Sequence, residues 1–120
     1  MIMTALLRGL FRTKRTTKKK TQQAEFGIVL ISKDPEKDAE KYRQHMAAIK
    51  QYPEVVKSYN ISEEEARRLV PDIKLPELPA YALIREGIYS AESFEHRLEH
   101  ALIITNKSTE VLLFLEYMKS

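Results

Sequence analysis

The chain has 120 residues, 43% of them hydrophobic and 31% charged, which suits one globular domain with a modest core. It has no cysteine, and this excludes disulfides, thiolate metal sites and dithiol redox chemistry. Residues 1–23 contain seven of the 20 basic side chains and none of the 17 acidic ones, so the remainder is net acidic. Such a split favours an arm that binds a polyanion or an anionic surface, and it argues against a nucleic-acid site on the globular part.

The N-terminal arm, residues 1–24, has the pattern of a short amphipathic helix followed by a polybasic tail. Its tail, residues 13–23, is polar, and we expect it to be largely disordered. Its apolar part ends at Phe11, far short of the ~20 residues that a membrane span needs. The residues predicted to bind a membrane or a polyanion are Leu6, Leu10, Phe11, Arg8, Arg12, Lys14, Arg15, Lys18, Lys19 and Lys20.

Several functions of the arm remain open on the sequence. An apolar face beside basic groups predicts a peripheral anchor on an anionic membrane surface. An Arg-rich, acid-poor N-terminus is also typical of a removable organelle-targeting peptide. A third alternative is a nucleic-acid arm that neutralises phosphates, although no aromatic side chains interleave the basic run for stacking. A solvated tail that only aids solubility is the fourth.

The globular part begins with a strand and a helix. The apolar, β-branched run Phe26–Ser32 predicts a buried strand. Asp34 is a suitable N-cap, Pro35 suits the first helical position, and Pro53 ends the helical pattern. The residues predicted to face inward from this single helix are Ala39, Tyr42, Met46 and Ile49.

A second strand, Val55–Ile61, precedes a short helix whose start has the capping-box residues Ser62 and Glu65. Pro71 ends that helix. On its exposed face, the expected ion pairs at i, i+4 spacing are Glu63–Arg67 and Glu64–Arg68.

The last part of the globular region alternates strand and helix again. Residues 80–84 follow Pro79 and predict a third buried strand. Residues 91–105 fit both helical and strand spacing, and we expect a short helix over 91–98 and then a strand over His100–Thr105. Ser108 is the predicted cap of a final helix, whose inward set is Val111, Leu112, Leu115 and Met118.

The predicted order β-α-β-α-β-(α)-β-α indicates an α/β sandwich with a mixed or parallel sheet over residues 25–120. This order, with a proline directly ahead of the third strand, resembles the thioredoxin-like fold, a βαβ unit joined to a β-β-α unit. The resemblance implies that Pro79 occupies the family's cis-proline position, with a structural role.

The chain differs from redox members of that family at one decisive place. They carry Cys-x-x-Cys where the first strand meets its helix, and here that junction is Ser32–Lys37. Serine does not replace a thiolate, so the resemblance implies a scaffold without oxidoreductase activity. We therefore expect a non-catalytic interaction module, cytoplasmic and peripheral to the inner face of a membrane, with a protein partner that the sequence does not identify.

Other chemistry has little support in the sequence. His96 and His100 are four residues apart and share a face if helical, each preceded by a glutamate, but we assign no metal site from this spacing alone. An enzyme with an unrecognised site near these histidines stays open as an alternative. Only three glycines occur, and no phosphate loop or serine nucleophile elbow is present, so we expect no cofactor.

Overall fold

A computed structural model of the protein describes residues 24–87 and 92–119. Within these ranges the chain forms four strands and five helices, in the order predicted except that one helix is divided. In chain order they are β1 (Glu25–Ser32), α1 (Pro35–Lys41), α2 (Arg43–Lys50), β2 (Val55–Ser62), α3 (Glu63–Leu69), β3 (Ala80–Glu86), α4 (Phe94–Glu99), β4 (Ile103–Thr105) and α5 (Ser108–Lys119).

The four strands form one mixed sheet in the order β2-β1-β3-β4. β2 runs parallel to β1, whereas β3 is antiparallel to both β1 and β4. In register, Ile28 of β1 lies between Ser58 of β2 and Leu83 of β3. The predicted α/β class with a mixed sheet is confirmed.

Helices cover both faces of the sheet, and the alternation of β1 side chains divides the core into two clusters. On the first face, Ile28 and Leu30 pack with residues of α2 and α5, including Ile49 and Leu115. On the second face, Val29 and Ile31 pack with residues of α3 and α4 and with the segment that follows α3. A strand covered on both faces is apolar along its length, which explains why β1 and β3 appear in the sequence as continuous hydrophobic runs.

The prediction of a single helix between Asp34 and Pro53 is wrong, because the structure divides this segment into two helices at Tyr42. There the backbone takes φ −106° and ψ 18°, outside the helical range, and the Tyr42 ring packs against the first core cluster. Aromatic residues favour helices only weakly, so tertiary packing decides the local backbone here. The predicted start is confirmed, since the Lys37 N–H donates to Asp34 Oδ1 and Pro35 is the first helical residue.

The expected strand over His100–Thr105 is shorter in the structure. Helix α4 extends to Glu99, with His100 as its C-cap, and β4 begins only at Ile103. Ser93 caps α4 by accepting the His96 N–H at 3.2 Å, so a local cap favours the helical alternative for this ambiguous segment.

Two details of the outer helices also differ from the prediction. In α3, Ser62 accepts the Glu65 N–H at 3.0 Å, as the capping pattern indicates, but Arg68 pairs with Glu65 instead of Glu64. In α5, Ser108 is the first helical residue, and Met118 of the predicted inward set is 41% exposed near the end of the chain.

Candidate functional site

The residues predicted to bind a membrane or polyanion, in the arm, lie outside the described ranges. In the described part of the chain, no helix combines the length and hydropathy that crossing a membrane requires.

The β1–α1 junction and Pro79 are brought together by the sheet. Ile31, one residue before the junction, lies opposite Ala80, one residue after Pro79. The Leu78–Pro79 peptide bond is cis. Ser32 is completely buried, and its hydroxyl has no hydrogen-bond partner among the described residues. At the start of the β1–α1 junction, the side chain is therefore a serine hydroxyl that solvent does not reach.

A groove of about 410 Å³ lies on the first face, between α2 and the outer strand β2. We define this edge groove by six residues that line it: Leu30, Arg43, Met46, Lys50, Ser58 and Asn60. It exists because β2 presents the small polar side chains Ser58 and Asn60 where a central strand would carry large apolar ones. Side chains of β2 consequently do not fill the space between α2 and the sheet at this edge.

The edge groove has an apolar interior and a basic mouth. Leu30 and Met46 line its interior, while Arg43 and Lys50 are exposed at its rim. Arg43 pairs with Glu40 at 3.0 Å, but both side chains are more than 70% exposed, so an incoming carboxylate can compete for the guanidinium.

The outer side of β2 adds backbone groups to this surface. Among the described strands β2 has a neighbour on one side only, so one row of its N–H and C=O groups has no partner strand. The Asn60 side-chain amide donates to the Pro35 carbonyl at 3.0 Å, which ties α1 to this strand. The groove and the strand edge together can accept an extended chain.

A second polar feature lies on the other face and was not predicted. Arg97 of α4 donates from Nη1 to Glu86 Oε2 at 2.6 Å, and the Tyr59 hydroxyl donates to the same oxygen. The side chains of Arg97 and Glu86 are only 15% and 10% exposed. Gly27 leaves the room for this arrangement, because a Cβ there would lie 2.7 Å from Glu86 Oε2.

Within the Tyr59–Glu86–Arg97 cluster, the positive charge of Arg97 is balanced by the negative charge of Glu86. Burial disfavours the charged guanidinium of Arg97, but its contacts with Tyr59 and Glu86 outweigh this and raise its pKa above the ordinary value. Arg97 also donates to the backbone carbonyls of Glu92 at 3.2 Å and Arg85 at 3.3 Å. These bonds join α4 to β3, so we assign the cluster a structural role.

Two tyrosines with raised pKa lie away from both features. Burial raises the pKa of Tyr81, which is 2% exposed in the first core cluster. The hydrogen bond from the Tyr52 hydroxyl to Glu116 raises the pKa of Tyr52, and it ties the loop before β2 to α5. Both shifts have a structural origin, and neither tyrosine lines the edge groove defined above.

His96 and His100 are close together, as helical spacing predicts. Both are exposed, His96 in α4 and His100 at its C-cap, and their ring centroids are 4.4 Å apart. Glu99 lies beside them, and one ligand atom from each of the three residues falls within 4.8 Å of the others. His45 is remote from this group, with its Nδ1 at 3.1 Å from Ser108 Oγ.

Comparisons with protein-family models, with curated proteins and with solved structures found no match to this chain.

Proposed function

We propose that the protein is a non-catalytic interaction module with a thioredoxin-like arrangement, held on an anionic membrane surface by its basic N-terminal arm. The observation that carries this proposal is the charge split. Seven basic residues and an apolar stripe precede a domain that holds all 17 acidic residues. An anionic surface attracts the arm and repels the domain, so the arm binds while the domain projects from the surface.

The strand arrangement supports the thioredoxin-like part of the proposal. A parallel β1–β2 pair is joined through α1 and α2, and the antiparallel strands β3 and β4 follow with α5. Pro79 directly precedes β3, in the position that the resemblance implies. The junction between β1 and α1 contains no cysteine and begins with the buried Ser32, which supports a role other than redox catalysis.

The arm is tested by co-sedimentation of the full chain with anionic and neutral vesicles. We expect binding to anionic vesicles only, and we expect a Leu6→Glu, Leu10→Glu double variant to lose it. Each basic group contributes about 1 kcal/mol near such a surface, and the apolar face adds to this. The matched control is Val56→Glu with Leu113→Glu, which changes two residues that are 51% and 68% exposed on the domain and should leave binding intact.

Two outcomes would contradict the anchor. If the Leu6→Glu, Leu10→Glu variant sediments like the unchanged chain, the apolar face does not insert. The second outcome is that the unchanged chain does not bind vesicles but binds duplex DNA or RNA with an affinity that falls steeply as the salt concentration rises. The arm would then neutralise phosphates instead.

We further propose that the edge groove receives an extended, acidic segment of a protein partner. The basic rim formed by Arg43 and Lys50 complements acidic side chains. The edge of β2 that has no neighbour among the described strands offers main-chain hydrogen bonds to an added strand, and the apolar interior accepts alternate side chains. An extended segment uses all three features, whereas a helix would leave the strand edge unpaired.

Selection of binders from a random peptide library by the full chain tests this groove. We expect enrichment of peptides that combine acidic and apolar residues. Reversing the rim, with Arg43→Glu and Lys50→Glu, should change the preference to basic peptides. The control Lys74→Glu with Lys107→Glu alters two exposed lysines outside the groove lining and should leave the preference unchanged. Enrichment that is the same for all three proteins would exclude the groove as the binding site.

A further inference from the structure

The outward surface at the end of α4 carries three side chains of the types that coordinate metal ions. His96 and His100 are one helical turn apart, with Glu99 between them in sequence. Their candidate ligand atoms lie within 4.8 Å of one another. In a tetrahedral zinc site with bonds of 2.0–2.2 Å, neighbouring ligands are about 3.4 Å apart. The three exposed side chains therefore have to bring their ligand atoms closer together for one ion to bind all three.

The backbone beneath these side chains is held in place. Leu98, on the inward side of α4, is completely buried in the second core cluster. Arg97 anchors the same turn to β3 through Glu86 at 2.6 Å, and Ser93 caps the first turn. Because the helix is fixed from inside, His96 and His100 are presented together without an ordering cost for the backbone.

The local charges also favour a cation. The three side chains lie in the last turn and at the C-cap of α4, where the helix dipole is negative. The small pocket of about 140 Å³ beside His96 and His100 is also lined by Arg85, Arg97 and Glu92. Glu86 neutralises Arg97 at 2.6 Å, and Glu92 carries a charge opposite to that of Arg85. Glu95, exposed on the same helix, adds a further negative charge.

We propose that His96, Glu99 and His100 bind one Zn²⁺ ion, or a divalent ion of similar chemistry, on the surface of α4. Two imidazole nitrogens and one carboxylate oxygen are ligands that zinc prefers, and water completes the coordination. Mg²⁺ prefers oxygen ligands and retains its waters, so this set discriminates against it. The site is independent of the membrane arm and of the edge groove, since it shares no residue with either.

Calorimetric titration of the full chain with ZnCl₂ tests the proposal. We expect one site per chain at micromolar zinc and none for MgCl₂. Removing even an indirect partner of a metal ligand typically weakens binding ~10–100-fold, so His96→Ala and His100→Ala should each cause at least that loss. Glu99→Gln should weaken binding to a smaller extent, because its amide oxygen remains a poorer ligand.

The third histidine of the chain supplies the matched control. His45→Ala removes an exposed histidine elsewhere and should leave the zinc affinity unchanged. The arm, residues 1–24, has no histidine, aspartate, glutamate or cysteine, so it offers no competing ligand side chains of these types. The proposal is overturned if zinc does not bind at micromolar concentration, or if His45→Ala weakens binding as much as His96→Ala. Unchanged circular dichroism of the variants would show that a loss of binding is not a loss of folding.

Discussion

Replacing Arg97 by Met is expected to lower the free energy of unfolding by about 3–5 kcal/mol. The reason is that Glu86, only 10% exposed and 2.6 Å from Arg97 Nη1, would lose its cation while remaining buried. The hydrogen bond from Tyr59 alone compensates only part of that cost. Urea denaturation followed by circular dichroism measures the change.

Two further variants decide whether the buried charge causes the loss. Arg67→Met breaks the exposed pair with Glu63, 3.1 Å apart, and should cost only about 0.2–1 kcal/mol. Adding Glu86→Met to Arg97→Met removes the stranded carboxylate and should restore a large part of the stability. Equal losses for Arg97→Met and Arg67→Met, or no recovery in the double variant, would contradict this account.

Leu83→Ala is expected to destabilise the domain by about 3–5 kcal/mol, because it opens a cavity in a closely packed core. Leu83 is completely buried at the centre of the sheet, opposite Ile28 of β1 and Ile103 of β4. Residues of β1 and β4 therefore border the cavity. Both strands are hydrogen-bonded to β3, so they cannot collapse freely into the cavity. The same denaturation experiment measures the loss.

The control for this prediction is Leu113→Ala, which makes the same chemical change on α5 where the side chain is 68% exposed. We expect a change within about 0.5 kcal/mol, as for most surface substitutions. If Leu83→Ala and Leu113→Ala lowered the free energy of unfolding by similar amounts, burial in the sheet would not be the cause of the loss.

Features specified within a few residues of one another were predictable from the sequence. The runs that form β1 and β3 are apolar on both faces, and this pattern is typical of central strands. Asp34 with Pro35, and Ser62 with Glu65, located two helix starts to the residue. Local backbone preference and capping act over one turn, so they are visible in a short stretch of sequence.

Features that depend on contacts between distant residues were not predictable. Tyr59 is 27 positions from Glu86 and Arg97 is 11 positions beyond it, and nothing in their neighbouring sequence indicates that they share one oxygen. The edge groove requires that β2 be an outer strand, and strand order follows from how the whole sheet assembles. The break at Tyr42 likewise depends on packing against the first core cluster.

The sequence by itself determined the class of the fold, because the spacing of apolar residues sets which segments become strands and helices and which faces they bury. It also determined the concentration of positive charge in the arm and the absence of thiol chemistry. Only the tertiary structure decided which surfaces combine into sites. The edge groove and the Tyr59–Glu86–Arg97 cluster arise because sheet assembly brings together side chains that the chain keeps far apart, and the energy of those contacts is not encoded in any one segment.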